Sequence, residues 1–379
     1  MRLIDLAVER FRNLEDARLP LASGTTVLLG DNGQGKTSFL EAVGALATTK
    51  SFRRARSPEM ARHGTRSWRV RGIVESPPDA RGQCARLELE VSHEDGRRIT
   101  RAGGLPVDLA EYIGYLTVVA ITQAHAGVIR GAPQERRDFL DRGILGVRPP
   151  YLRVLARYRR TLRQKNALLR AGVEGRDDEL ATWNERLAED GADVTLARRL
   201  YVRELGEELA ALAATFVPES EPLAMSMSDV MTKSAAASKS GGDFDRAAVV
   251  AALRERMTTQ SAREIAFGQA LVGPQRDELE LTLAGRDIRR FASSGQQRNA
   301  LLALKLAKVE LFRHRRGETP VLLVDDVDTE IDRTRLLRFL EHVGGKAQSL
   351  LTSSKRDLFG SPPENALFYH VERGLLTGA

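Results

Sequence analysis

Two short motifs stand near opposite ends of this chain, and their separation constrains the fold more than any other feature. The first, Gly30-Asp31-Asn32-Gly33-Gln34-Gly35-Lys36-Thr37, matches the phosphate-loop pattern G-x-x-x-x-G-K-[ST] in full. The second, Pro320-Val321-Leu322-Leu323-Val324-Asp325-Asp326, is a hydrophobic run that ends in acid. Most of the 379 residues lie between them. One sheet must therefore draw strands from both chain ends, with the middle inserted as a lobe of its own.

The flanks support the first motif. Thr25 to Leu29 reads as a buried strand, and Ser38 to Val43 as the first turns of a helix. Glycines let backbone N–H groups turn inward on phosphate oxygens, and the helix N-terminus adds the positive end of its dipole. Lys36 is expected to reach the β- and γ-phosphates, with Ser38 beside it and the Thr37 hydroxyl on Mg²⁺. Asp325 falls at the C-terminal edge of a parallel strand, where ligands bind in open α/β folds. It is expected to hold Mg²⁺ through water, with Asp326 as the general base on the attacking water. A strand ending in Asp means little alone; the phosphate loop gives it a partner.

A third element, Phe291 to Arg298, opens a predicted helix over Asn299 to Leu311. Ser293, Ser294, Gly295 and Gln296 at that helix start make an anion site. The plain alternative is a Ser/Gly turn with a helix cap. This combination belongs to the structural-maintenance-of-chromosomes and ABC-type class, in which the third element touches the γ-phosphate of a second protomer.

The expected fold is α/β: an ATPase head assembled from both chain ends, an attached antiparallel β subdomain, and an inserted α-helical arm. The subdomain rests on Trp68 to Val74, on the period-two alternation of Ala85 to Val91, and on an Asp95-Gly96 turn into Arg97 to Arg101. The arm rests on Leu152, Leu155, Leu162 and Leu169, which form one helical stripe over Tyr151 to Arg170. A turn at Gly172 to Gly175 leads into a second long helix over Glu179 to Thr215. Strand character returns at Ala270 to Leu283, and Thr232 to Gly242 reads as a mobile loop. These boundaries give a head of residues 1–130 and 265–379 and an arm of residues 131–264.

The net charge of +7 favours a polyanionic partner. No apolar run approaches the roughly 20 residues that span a bilayer, and Arg2, Asp5, Glu9 and Arg10 argue against a secretory signal. Cys84 stands alone, which excludes an internal disulfide and a cysteine zinc cluster and suits a reducing cytoplasm. The six histidines lack metal-ligand spacing, so the nucleotide's Mg²⁺ is the one metal expected.

Basic residues crowd the segment from Arg130 onward, among them Arg136, Arg137, Arg148 and Arg159. From Tyr151 to Arg170 the balancing acids at i, i+4 are missing. Arg153, Arg157, Arg160, Arg163 and Lys165 are therefore expected to face DNA, together with Arg53 and Arg54 from a second cluster. The alternative is a solvated helix face. No base-reading motif is visible, so little sequence preference is expected.

Phe11-Arg12-Asn13-Leu14, Gly30 to Thr37 with Leu40-Glu41-Ala42, Lys50-Ser51-Phe52-Arg53, Arg130 to Pro133, Arg136 to Asp141, Leu162 to Arg170, Gly273 to Asp277 and Ser293 to Asp332 follow in one order. In these stretches the chain resembles the RecF family of bacterial recombination-repair ATPases. The resemblance implies binding of ATP and DNA, an ATP-dependent homodimer, and slow, DNA-stimulated hydrolysis. It further implies action with RecO and RecR in loading the RecA recombinase at single-strand gaps, without a membrane partner. It adds Arg12, Asn13, Asp332 and Gln123 to the nucleotide site, the last as a sensor of Mg²⁺ and γ-phosphate. There are departures. Gln123-Ala124 replaces a frequent Pro-Glu pair, Gln275 a usual histidine, and Thr329 a usual serine before Glu330. Two other classes compete: an ABC transporter ATPase subunit, disfavoured by the arm and its basic helix, and a non-catalytic ATP-gated DNA scaffold, kept open by Asp326 where efficient ABC ATPases carry glutamate.

Overall fold

The computed structural model describes residues 1–77, 83–122, 127–216, 222–232, 245–330, 338, 341–342, 346–359 and 366–378. Apart from Thr232, the expected mobile loop lies outside these residues. In chain order the first elements are β1 (Arg2–Phe11), β2 (Leu14–Pro20), β3 (Thr25–Leu29), α1 (Lys36–Thr48), β4 (Trp68–Glu75), β5 (Arg86–Glu94) and β6 (Arg97–Ala102). Next come β7 (Leu105–Pro106), α2 (Leu109–Tyr112), β8 (Val118–Ile121), α3 (Gly127–Arg130), α4 (Pro133–Val147), α5 (Tyr151–Ala171) and α6 (Asp177–Phe216). Then follow β9 (Leu223–Ser228), α7 (Arg246–Phe267), β10 (Glu278–Leu283), β11 (Arg286–Asp287), α8 (Ile288–Phe291) and α9 (Ser294–Arg316). The chain ends with β12 (Val321–Val324), α10 (Val327–Glu330), β13 (Ser349–Ser353), β14 (Leu367–Glu372) and β15 (Leu375–Gly378).

Two compact units result. The first comprises Met1–Ala126 with Leu304–Ala379, the second Gly127–Ala303. This division differs from the boundaries read in the sequence, because residues 127–130 and 265–303 cluster with the inserted segment.

The first unit holds the sheet that the motif spacing demands. Its order is β15-β14-β3-β13-β12-β8, so strands from residues 25–29 and 118–121 interleave with strands from the C-terminal end. The five strands from β14 to β8 run parallel, and β15 closes the edge antiparallel to β14. Every residue of β12 and β13 is buried, which explains the continuous hydrophobic run of β12. The antiparallel subdomain is also present, as the sheet β2-β1-β4-β5-β6-β7. Its inner face, with Leu3, Leu6, Val8, Phe11, Trp68 and Val91, shares one core with α1. Gly72 permits that approach, since a Cβ there would lie 2.4 Å from Leu46 Cδ2.

In the second unit the two long arm helices appear as read. Leu155 and Leu169 of α5 are buried, and so are Leu187, Val194, Tyr201 and Leu205 of α6. Tyr151 and Tyr158 belong to this core as well. The strand expected over Ala270 to Leu283 shortens to β10. Gly273 adopts φ +129 and Pro274 lacks an N–H, so the chain forms a 3₁₀ turn over Pro274–Arg276 before pairing begins. There β10 joins β9 and β11 in an antiparallel sheet.

Candidate nucleotide and nucleic-acid sites

The phosphate loop runs from the end of β3 to the start of α1. Gly30 sits at φ +143, and a Cβ on it would lie 2.4 Å from the Val371 carbonyl oxygen. No side chain fits there. Lys36 is buried, and its Nζ donates to the carbonyls of Gly30 (2.5 Å) and Asp31 (2.9 Å). Asp31, Asn32 and Gly33 remain exposed at the mouth of the loop. Gln34 is held from the C-terminal hairpin: its Oε1 accepts from Arg373 N and its carbonyl from Gly374 N, both at 2.7 Å. Gly35, at φ +116, packs against Leu14, Asn13 and Gly374.

The two distant motifs meet. Thr37 Oγ1 donates to Asp325 Oδ1 at 2.9 Å, and Thr352 Oγ1 donates to the same oxygen at 2.8 Å. Thr352 also accepts from Asp326 N at 2.8 Å. Asp326 itself adopts φ +47, a left-handed conformation that a non-glycine residue holds only where its surroundings enforce it. Nothing in the sequence around Thr352 announced this role; the parallel pairing of β13 beside β12 creates it.

Burial pushes the Asp325 carboxyl above its ordinary range and the Asp326 charge adds to this, while the Thr352 and Thr37 hydroxyls pull the other way. A carboxyl whose folded pKa is raised lowers stability once the pH is high enough to ionise it, and has no such effect when both states are protonated. Asp325→Asn keeps both hydroxyl contacts and removes the buried charge. It is expected to raise the melting temperature of the nucleotide-free protein at neutral pH, by an amount that shrinks as the pH falls toward about 4. Thermal melts across that range check it.

Asn13 braces the loop, and Arg12 the helix that follows it. Asn13 Oδ1 accepts from Ser38 Oγ at 2.7 Å, and its Nδ2 donates to the Gly33 carbonyl at 3.1 Å. Arg12, at φ +57, donates to both carboxylate oxygens of Glu41 (2.9 and 2.6 Å) and to the Glu59 carbonyl (2.7 Å). Glu41 is fully buried and also accepts from Ser51 Oγ. A cleft of about 600 Å³ opens over these groups, lined by Arg12, Asn13, Lys36, Thr37, Arg53 and Asp326 among others. Gln123 and Asp332 lie outside the described residues.

The third motif forms a capping box. Ser293 Oγ accepts from Gln296 N at 3.2 Å, and Gln296 Oε1 accepts from Ser293 N at 2.7 Å. Ser293, Ser294 and Gly295 are exposed and Gln296 is half-buried at the start of α9.

The basic surface needs correction. Lys165 does not face solvent: it is 0% exposed, its Nζ donates to Glu264 Oε2 at 2.5 Å, and burial lowers its pKa. Arg157 is exposed but paired with Asp190 (2.5 Å) and Asp193 (2.7 Å). Arg148 pairs with Glu204, Arg159 with Asp141 and Arg136 with Glu278. The acids missing at i, i+4 are supplied by neighbouring elements, chiefly α6, which a view confined to one helix misses. Arg153, Arg160 and Arg163, with Arg170, remain exposed on α5, and none has an ion pair among the described residues. Arg53 is exposed at the cleft, 3.9 Å from Glu41. Arg54 is exposed at φ +64.

The RecF/RecN/SMC N-terminal domain family matches residues 2–376. The DNA replication and repair protein RecF of Limosilactobacillus fermentum is 34% identical over 100% of this chain and 99% of its own length. The chain belongs to the RecF family. RecF of Thermosynechococcus vestitus is 35% identical over 96% of this chain and 93% of that protein. Among solved structures, that of the recombination mediator protein RecF-ATP in the RecFOR pathway superposes with a TM-score of 0.89 at 26% identity, covering 100% of this chain and 97% of that one. The Smc head domain of Pyrococcus furiosus shares the fold at a TM-score of 0.56 and 14% identity, covering 100% of this chain and 95% of the other. The α/β architecture is thus that of RecF and SMC-type head ATPases.

Proposed function

We propose that this chain is a cytoplasmic, ATP-gated DNA-binding protein of recombinational gap repair, and a weak, DNA-stimulated ATPase. One observation carries the reading: Thr37 of the phosphate loop bonds Asp325 of the acidic strand in a chain that matches the ATP-bound RecF structure along its whole length. The donor set fits Mg-ATP. Gly30, Gly33 and Gly35 all hold positive φ, the backbone such a loop needs to curl around phosphate, and a hydroxyl and a carboxylate oxygen side by side suit a small hard cation. When bound, Mg²⁺ supplies charge neutralisation at the β- and γ-phosphates. Lys36 then exchanges its loop carbonyls for phosphate oxygens, while Asn13 holds the loop and Arg12 its helix against distortion. Asp326 takes the proton of the attacking water. Gln123 and Asp332 belong to the same site in this reading.

Ser293, Ser294, Gly295 and Gln296 close the site of a second copy, so that ATP stabilises the dimer by differential binding. Hydrolysis removes that bridge and releases DNA. RecO and RecR are the partners, and recombinase loading on single-strand gaps is the outcome. Among the described residues no helix is long and apolar enough to cross a membrane.

Light scattering tests the reading. The protein is expected to double in mass when Mg-ATP and a gapped duplex are added, and Ser293→Arg to stay single while still binding ATP. A wild-type protein that remains monomeric at saturating Mg-ATP contradicts it. For DNA, the sequence candidates left on α5 without an ion pair among the described residues are Arg153, Arg160 and Arg163; Arg170, exposed and likewise without one, joins them, and Arg53 and Arg54 form a second cluster. Replacing Arg153, Arg160, Arg163 and Arg170 by alanine is expected to weaken duplex binding uniformly across sequences. It is also expected to reduce the slope of log affinity against log salt by about one for each phosphate no longer neutralised. Unchanged slopes in a salt titration would place DNA elsewhere.

A further inference from the structure

Three arginines of α3 and α4 grip the segment that presents Ser293. Arg130 Nε donates to Gln297 Oε1, one turn into α9 from the serine. The amide of that glutamine donates to the carbonyls of Ile288 (3.1 Å) and Ala292 (3.0 Å), so its side chain is held from three sides. Arg136, 2% exposed, donates through Nε to Glu278 at the start of β10 and through Nη1 to the Gly131 carbonyl at 2.8 Å. Arg137 Nη1 reaches the Asp277 carbonyl at 3.0 Å. From Asp277 the chain runs through β10, β11 and α8 directly to Ser293.

We infer that Arg130, Arg136 and Arg137 are positioning residues that fix the orientation of the Ser293–Gln296 tip toward the nucleotide of a second copy. The inference rests on the shared-site reading proposed above. Its physical basis is preorganisation. A hydroxyl and a helix N-terminus stabilise a distant charge only when they do not have to reorganise to meet it. Ser293, Ser294 and Gly295 are small and lie at the surface, so they have no bulk with which to hold themselves in place. The capping box sets their local conformation, and the three guanidinium contacts behind them set their direction. The high density of arginine here, read in the sequence as a DNA surface, is spent at these three positions on internal contacts.

The test separates positioning from mere packing. Arg130 is exposed, so Arg130→Ala is expected to leave the melting temperature and the ATP affinity of the monomer unchanged. It is expected to weaken ATP-dependent dimerisation on the order of tenfold and to lower kcat by a similar factor with KM unchanged. Gln297→Leu also removes the two amide bonds to Ile288 and Ala292, so it is expected to weaken dimerisation at least as much; adding Arg130→Ala to it is expected to cost nothing further, because the Arg130 contact is already gone. Arg136→Glu is expected to lose dimerisation, with Glu278→Arg added to restore it. If wild type dimerises and Arg130→Ala dimerises equally well, the inference falls and the functional reading stands. It also falls if the variant loses ATP binding or thermal stability in step with dimerisation. If wild type itself does not dimerise, both fall together.

Discussion

Lys36→Met is expected to lower ATP turnover by about 10²–10³-fold, the loss typical of removing one preorganised charge from a transition state. The side chain is buried at the base of the loop and spans two carbonyls, so its amine is already placed where phosphate oxygens would arrive. Methionine keeps the length and packing of the stem but can neither donate nor carry charge. The variant should retain its fold and its Thr37–Asp325 contact, since neither depends on the ammonium. Phosphate release measured with and without gapped duplex checks the turnover, and a thermal melt checks the fold. Turnover within a factor of about ten of wild type would mean that catalysis does not run through this loop.

Arg198→Met is expected to destabilise the second unit by about 3–5 kcal/mol, the range for stranding a buried charge pair. The Arg198 side chain is 4% exposed; its Nε and Nη2 donate to the two carboxylate oxygens of Asp141 (2.9 and 3.1 Å) and its Nη1 to Asp277 at 3.0 Å. Nη1 also bonds the Pro274 carbonyl at 2.7 Å, and the Tyr151 hydroxyl donates to Asp141 at 2.8 Å. Burial by itself would lower the pKa of this guanidinium, but the two carboxylates outweigh it and hold the pKa above its ordinary value. Methionine fills most of the volume and leaves both carboxylates buried without this cation. Adding Asp141→Asn and Asp277→Asn is expected to recover much of the loss, because the charge that needed compensation is then gone. Urea unfolding of the variants measures it. A single-variant loss below about 1 kcal/mol would mean that water reaches the cluster.

Two of the stretches on which the family resemblance was read, Arg136 to Asp141 and Gly273 to Asp277, meet at this arginine. Nothing in the sequence tied them to each other or to Arg198, which lies in neither. The same holds for Glu41, whose position inside a phosphate-loop helix gave no sign that it anchors Arg12. Thr352 and the Arg373-Gly374 turn likewise carry no signature in the sequence, although both touch the nucleotide motifs. Each of these contacts joins residues far apart in the chain.

The amino-acid order alone determined the features that arise from short stretches of backbone. Glycines at fixed offsets make a phosphate cradle, an unbroken apolar run ending in acid makes a buried parallel strand with a carboxylate at its tip, and breaker-free amphipathic stretches make the arm. The distance between cradle and carboxylate also required a sheet built from both ends. Only the tertiary structure decided which charges face solvent. Lys165, Arg136 and Arg153 look alike in sequence, yet the first two are buried against Glu264 and Glu278, and Arg153 alone of the three stays exposed. The reason is physical: a backbone preference is set by the residue and its immediate neighbours, whereas the fate of a long charged side chain is set by whichever element folding brings against it.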